Sequence, residues 1–359
     1  MNYFADKYIL IISTEDWSHI PLSKHHYSQE LAKIGAWVYF LNPPSGKNGI
    51  QKHESISNLF ILDYVSIKGV NYMPSILRDF LNRIIIRRIE RLSKHPFDVV
   101  WSFDPSSFQN LDLFNAVLKI YHPVDVHYVR HEWQIVSSAD MIISVAELIL
   151  KRFSHSKALK VKIDHGLQSH FLQNDNPVKL RSSVSKVGYV GNLDNHCIDI
   201  PTMIRIVEEN PELIFHFIGP FKKHSPLASK LRLFHHCILI GRVSSEDLPR
   251  RFLDVDMFFM CYDGSIKDVN SNHHKILEYL STGKPVVMNF TDEYNTRRDI
   301  VMMADDNREL PDLFKNVLNN YGKYSQKEIV EKRIGFARSN TYQAHVEKIS
   351  GIVKEKLKK

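Results

Sequence analysis

Lys275 and Glu278 sit in the stretch of the chain richest in chemistry, CYDGSIKDVNSNHHKILEYLSTGKPVVM (Cys261–Met288). An apolar run, DVDMFFMC, enters a polar loop, then a helix-period segment, then a Gly-Lys-Pro turn and a second apolar run. A loop that leaves a sheet at its carboxyl end and opens a helix aims free backbone N–H groups and a positive dipole end at one point. A cation in the first turn opposes that dipole, so Lys275 calls for an anion beside it. Glu278 lies three residues on, on nearly the same face. Diphosphate at the helix start and ribose hydroxyls at the carboxylate would use both groups. A plain i,i+3 ion pair on a solvated helix, worth roughly 0.2–0.5 kcal/mol, would also account for the spacing.

The chain's 19 histidines invite a metal reading, above all His122, His127 and His131 and the pairs His25-His26, His235-His236 and His273-His274. No HExxH or comparable chelating spacing occurs, since His131-Glu132 runs on into Trp133, Gln134 and Ile135. Neither a metal nor a resident cofactor is expected. The three cysteines, Cys197, Cys237 and Cys261, have no CxxC spacing. That usage fits a reducing compartment and excludes a disulfide framework.

The elements that must position these groups follow an alternating β and α pattern, which predicts an α/β protein with parallel sheets. The 359 residues suggest two domains. Strands are expected at Tyr8–Ile12, Trp37–Leu41, Phe60–Val65, Asp98–Phe103, Leu118–Tyr121, Asp140–Ser144 and Lys160–Ile163, with helices at Ser23–Ile34, Pro74–Ser93 and Val145–Phe153. After an aperiodic polar stretch, a second series of strands is expected at Lys186–Val190, Leu213–Ile218, Cys237–Ile240, Asp256–Cys261 and Pro285–Met288. Its helices are Pro201–Glu209, Leu227–Phe234, Ser245–Leu253 and His273–Ser281, and the chain beyond Leu310 reads as helix. The expected division is 1–167 for the first Rossmann-like domain, 168–185 for a linker and 186–335 for the second domain. A final helical segment follows at 336–359. Ligands on such sheets bind at the carboxyl ends of the strands.

No window approaches 18 uninterrupted apolar residues, and the N-terminal segment lacks a signal-peptide pattern. A cytoplasmic monomer is expected. The formal net charge of +7 is spread along the chain, with no basic recognition helix, so nucleic acid is not an expected partner. One helix stands out: PSILRDFLNRIIIRRIERLSK (Pro74–Lys94) gathers Ile76, Leu77, Phe80, Leu81, Ile84, Ile85 and Ile89 on one face. Arg78, Arg83, Arg87, Arg88, Arg91 and Lys94 crowd the remainder. The apolar face is expected on the sheet. The arginines, Arg83, Arg87 and Arg88 above all, suit either water or an anionic membrane such as the inner face of the plasma membrane.

The segment HKILEYLSTGKPVV resembles the donor-binding helix of GT-B-fold, nucleotide-sugar-dependent glycosyltransferases (group 1, family-4-like). Other stretches are similar to the same family along most of the chain: KVGYVGNLDN, LIFHFIGP, ILIGRVSSEDLPRRFLDVDMFF, KIDHGLQSHF and FARSNTYQAHVEKI. The resemblance implies a GT-B fold, two Rossmann-like domains facing across a cleft with the C-terminal helix of 336–359 crossing back to the first, in the branch that assembles cell-surface polysaccharides. It implies a nucleotide-sugar donor, a UDP-sugar first among them, held by Glu278 at the ribose and Lys275 at the diphosphate. Asn270, Asn272, His273 and His274 would lie near sugar or phosphate, and Gly191, Asn192, Pro220 and Lys222 would line the same site. Many retaining members carry a second glutamate eight positions before the nucleotide-binding one. Here that position is Asn270, which leaves the stereochemical outcome open.

The resemblance places the acceptor, a glycan or lipid-linked glycan, on the first domain. DWSHIPLSKHHYSQELAKIGAWVYFLNPP is similar to the family's opening loop and helix, where Ser23, His25 and His26 would face the acceptor. IYHPVDVHYVRHEWQIVSSADMIISVAE is similar to a segment whose strand-ending aspartate, here Asp125, meets the acceptor. A carboxylate so placed can take the proton of an attacking hydroxyl. Asp104, before Pro105, is the second candidate and also a natural turn former. A nucleotide-sugar epimerase on the same fold is the alternative activity.

Overall fold

The computed structural model describes residues 2–127, 129, 131–172, 181–264, 266 and 274–357. The chain forms two compact units, Met1–Asp164 with Tyr342–Lys359, and His165–Thr341.

In the first unit the strands are β1 (Tyr8–Ile12), β2 (Trp37–Leu41), β3 (Gly49–Lys52), β4 (Leu59–Asp63), β5 (Val99–Ser102), β6 (Leu118–Tyr121), β7 (Met141–Ser144) and β8 (Leu159–Lys162). They form one sheet in the order β3-β4-β2-β1-β5-β6-β7-β8, parallel throughout except for β3 against β4. Every residue of β5 and β7 is buried. A strand covered on both faces reads as a continuous apolar run, which is why VVWS and MIIS show no alternation. The helices are α1 (Ser23–Lys33), α2 (Ser75–Ser93), α3 (Glu132–Ser138) and α4 (Glu147–Arg152). The strand order reverses between β1 and β5, so their carboxyl ends flank the crevice where a doubly wound sheet takes ligands.

The second unit contains β9 (Lys186–Val190), β10 (Ile214–Ile218), β11 (Cys237–Gly241), β12 (Met257–Met260), β13 (Val286–Met288) and β14 (Met302–Met303). The sheet is fully parallel in the order β11-β10-β9-β12-β13-β14, with its reversal between β9 and β12. Its helices are α5 (Ile200–Glu208), α6 (Pro226–Leu231), α7 (Leu248–Leu253), α8 (His274–Leu280), α9 (Leu310–Asn319), α10 (Tyr321–Tyr324) and α11 (Lys327–Ser339). The last helix, α12 (Tyr342–Leu357), belongs to the first unit, where Tyr342, Val346, Ile349 and Val353 complete the apolar layer around Tyr27 and Trp101.

Two basic side chains lock the second unit. Lys284, in the Gly-Lys-Pro turn, donates to the carbonyls of Phe252 (2.5 Å), Leu253 (3.4 Å) and Val255, closing the open end of α7. Arg333, fully buried, donates to the carbonyls of Ile300 (2.9 Å), Gly283 (3.0 Å) and Tyr324 (2.7 Å).

Several expectations need correcting. The edge strand β3 carries too little apolar sequence to announce itself, the two-residue β14 is too short to do so, and α3 follows a histidine-rich loop that hides its start. Residues Ser169–Leu172, expected as the start of a linker, form a 3-10 turn whose Phe171 is buried against Phe252. On α2 the expected faces are partly exchanged. Ile85 and Ile89 are buried as predicted and Ile86 joins them, but Ile76 (86%), Leu77 (47%) and Phe80 (60%) are exposed, and Arg78 is only 2% exposed. The wheel assumes one uniform environment along the helix; here the first turns pack on the loop near Asn110, where a polar face is the inner one.

Candidate functional site

Glu278 is buried on α8 and Lys275 lies one turn before it. The Lys275 ammonium donates to both carboxylate oxygens at 2.9 Å, and Nε2 of His274 is 4.0 Å from one of them. Burial pushes the Glu278 carboxyl above its usual range, and the Lys275 charge pulls it back. This differs from a solvated ion pair: the carboxylate is 7% exposed and the lysine side chain 22%. The His165 ring lies 6.0 Å from that of His274, and His170 bonds Ser245 Oγ (3.1 Å), which donates to Gln168 (2.8 Å). The sequence reading singled out neither His165 nor His170.

The neighbouring Tyr279 fixes the helix. Its hydroxyl accepts from the Val190 N–H (2.8 Å) and donates to the Val190 carbonyl (3.2 Å), while its ring stacks on Phe258 at 4.3 Å. Val190 ends β9, so α8 is pinned beside the reversal of the sheet. Gly191 follows it. The turns after β9 and β10 are joined: the Leu193 N–H donates to the Pro220 carbonyl (3.0 Å), and the Lys222 N–H to Asp194 (2.7 Å). Asn192 accepts from the Asp194 N–H (3.0 Å) and is itself exposed, as are Pro220 and Lys222. Gly219 makes the junction possible: at φ +150 its ideal Cβ would lie 1.8 Å from the Gly191 carbonyl oxygen. Gly191, Asn192, Pro220 and Lys222 therefore share one loop cluster. Asn270, Asn272 and His273 lie outside the described residues, and His274 is exposed.

In the first unit the groups at the β1/β5 reversal centre on Lys24, which sequence reasoning missed because a lysine opening a helix looks solvated. It is buried, donates to Thr14 (2.6 Å) and pairs with Glu15. Burial lowers its ammonium to about 8, against the pull of Asp104 and Asp125. Asp125 is exposed and makes no hydrogen bond among the described residues. Asp104 is buried and accepts from the Ser106 N–H (2.7 Å) and the Ser107 hydroxyl, the turn-forming role open to it from the start.

The expected acceptor-facing histidine is elsewhere. His25 is 1% exposed; its Nδ1 accepts from the Leu22 N–H (3.1 Å), its Nε2 meets the Asp16 carbonyl (3.3 Å), and its ring packs on Trp17 and Phe40. It caps α1 from within, because the helix entry turns its first-turn side chain inward. Ser23 accepts from the Tyr342 hydroxyl (3.2 Å) and His26 lies against the Tyr342 ring (4.8 Å), so both meet α12. Among the described residues, no three His, Cys, Asp or Glu side chains gather as a metal site.

No protein-family model matches the chain, and no curated protein matches it. Solved structures do. A glycosyltransferase from Rickettsia africae ESF-5 superposes with a TM-score of 0.69 at 13% identity, covering 98% of this chain and 99% of that one. The lipopolysaccharide outer core galactosyltransferase WaaB gives 0.67 at 14% identity, over 97% and 99%. Anabaena HepE, in complex with UDP and glucose, gives 0.66 at 11% identity, over 98% and 99%. The chain has the GT-B fold. Its two Rossmann-like units correspond to the two GT-B domains, and α8 lies in the C-terminal one.

Proposed function

We propose that this GT-B protein is a glycosyltransferase that moves a hexosyl group from a nucleoside-diphosphate-sugar, UDP-linked first among them, to a glycan or lipid-linked glycan of the cell surface. The observation that carries the reading is the inward-facing Lys275–Glu278 pair on α8, beside the reversal of the second sheet. A buried carboxylate with a fixed cation suits ribose hydroxyls on one side and phosphate oxygens on the other. Solved structures of the same fold include one holding UDP and glucose and one named as a lipopolysaccharide outer core galactosyltransferase, which supports the substrate class.

In the transfer, the acceptor hydroxyl oxygen bonds to the anomeric carbon, the bond from that carbon to the phosphate oxygen breaks, and the nucleoside diphosphate leaves with the electron pair. Asp125, which makes no hydrogen bond among the described residues and whose charge acts on Lys24, is the group proposed to take the hydroxyl proton. Asp104 orders the turn beside it. Lys275 offsets the charge that grows on the leaving diphosphate, the electrostatic role that a metal ion fills in other enzymes. No step draws on a resident cofactor.

Calorimetric titration with UDP tests the donor site. Glu278→Ala is expected to weaken UDP at least tenfold, the order of one lost charged hydrogen bond, with the circular-dichroism spectrum unchanged. Wild-type affinity in that variant refutes the assignment. Attachment to the inner face of the plasma membrane is part of the proposal. Arg83, Arg87 and Arg88 are exposed on α2 along with Ile76, Leu77 and Phe80, a combination suited to anionic headgroups and the acyl boundary. Replacing the three arginines with glutamate should abolish sedimentation with anionic liposomes, and retained binding would remove this element.

A further inference from the structure

The loop after β11 and the outer side of α7 border a cavity of about 490 Å³ in the second unit, walled by Arg242, Ser244, Asp247, Arg250, Arg251 and Asp254. Local sequence shapes this wall. Gly241, left-handed at φ +81, turns the chain at the end of β11 and leaves Arg242 outside the strand. Ser244 Oγ donates to the Asp247 carboxylate (2.7 Å) and accepts from the Asp247 N–H (3.2 Å), which closes the turn into α7. Leu248 and Phe252, at i and i+4, are buried, so Arg250, Arg251 and Asp254 are left exposed along the helix and at its end.

Three guanidinium groups thus border one concavity, and none makes a hydrogen bond or an ion pair with a described residue. Two carboxylates share the wall without pairing with them: Asp247 is bound to Ser244, and Asp254 accepts no hydrogen bond from a described residue. The helix end does not account for the arginines. Arg250 and Arg251 fall in the last turn of α7, where a cation suits the dipole, but Lys284 already closes the carbonyls there, and Arg242 lies before the helix. Nor does the cavity belong to the donor site. Ser245, between two lining residues, turns away to His170 and Gln168, in the segment whose His165 meets His274 of α8.

The ligand class follows from these groups. Guanidinium forks match phosphate oxygens in pairs. A carboxylate ligand brings one charge to three arginines, whereas a phosphate monoester brings close to two. Bare phosphate would leave most of the volume unused and set its charge beside Asp254. Hydroxyls attached to the phosphate give Asp254 the donors that a carboxylate accepts. Among the described residues Val243 is the one apolar group of the lining, so no ring is at hand to stack a nucleobase. The volume is that of a small-molecule site.

We propose that Arg242, Arg250, Arg251 and Asp254 form a binding site for a sugar phosphate, separate from the donor site, with the phosphate at the guanidinium groups and ring hydroxyls at Asp254. The site does not depend on the proposed transfer reaction. Calorimetric titration of the whole protein with gluco-, galacto- and mannose 1- and 6-phosphates, the plain hexoses and inorganic phosphate tests it. At least one hexose phosphate should bind roughly tenfold tighter than inorganic phosphate, and the plain hexoses should not bind. Arg250→Met and Arg251→Met should each weaken that ligand roughly tenfold, the order of one lost charged hydrogen bond, with the melting temperature unchanged. Asp254→Asn should weaken the hexose phosphate and leave inorganic phosphate no weaker. UDP and the hexose phosphate should bind together, neither displacing the other. Hydrogen exchange in wild-type residues 241–254 should slow when the ligand is added, a readout that needs no variant. The same group on a lipid is tested by sedimentation with phosphatidic acid vesicles, which the two arginine substitutions should leave unchanged; a loss would assign the site to a membrane and overturn the proposal. So would a panel without a binder, affinity indifferent to both arginine substitutions, inorganic phosphate binding as tightly as every hexose phosphate, or displacement by UDP. Binding of a hexose phosphate without binding of UDP leaves this site standing and removes the nucleotide reading.

Discussion

Acidification should unfold the first unit through His25. Its Nδ1 accepts the Leu22 N–H, so the folded state holds the ring neutral, and burial beside the Lys24 charge lowers it from 6.5 to about 4. A proton would therefore bind the unfolded chain more readily. Stability from this group is complete above the unfolded value of 6.5 and drains away as pH falls through the folded value. Two and a half pH units correspond to about 3.4 kcal/mol in total at 1.36 kcal/mol per unit, and to roughly 1–2 kcal/mol by pH 5 after discounting for residual solvent screening. His25→Asn keeps an acceptor near the Nδ1 position and cannot titrate. Urea unfolding at pH 7.5, 6 and 5 and constant ionic strength should give wild-type and variant curves that diverge on acidification, the wild type losing the larger share. Parallel curves would refute the placement of a neutral imidazole under α1.

Two further expectations concern the second unit. Lys284→Met should cost about 2–3 kcal/mol in urea unfolding, because the carbonyls of Phe252, Leu253 and Val255 lose their shared donor; an unchanged midpoint would show that water replaces it. Gly219→Ala should destabilise by at least about 2 kcal/mol and abolish UDP binding, since its methyl would overlap the Gly191 carbonyl; a variant with wild-type UDP affinity would separate this junction from the donor site.

The central strands were legible because burial on both faces leaves unbroken apolar runs, and the Lys275–Glu278 pair because a cation in a first turn needs a reason. Edge elements were not, since GIQK owes its pairing to β4 rather than to its own residues. Within the site, spacing indicated which residues share a face but not which way that face turns. His25 and Lys24 are adjacent, yet one enters the core and the other meets carboxylates brought from β5 and the segment after β6. Periodicity left Arg78 on the face given to water or an anionic membrane; it is buried where Asn110 bonds its neighbour Asp79 from 31 positions farther along the chain. The role of Lys284 was hidden likewise, because its carbonyl partners lie 29 to 32 positions upstream.

The return of α12 to the first unit sets an order of events during translation. Residues His165–Thr341 are contiguous and emerge from the ribosome before α12 is made, so the later unit can close its core first. The earlier one waits, with Tyr27 and Trp101 lacking their cover until Tyr342 through Val353 arrive. Damage to those last turns therefore falls on the yield of nascent chains, through the half that was synthesised first.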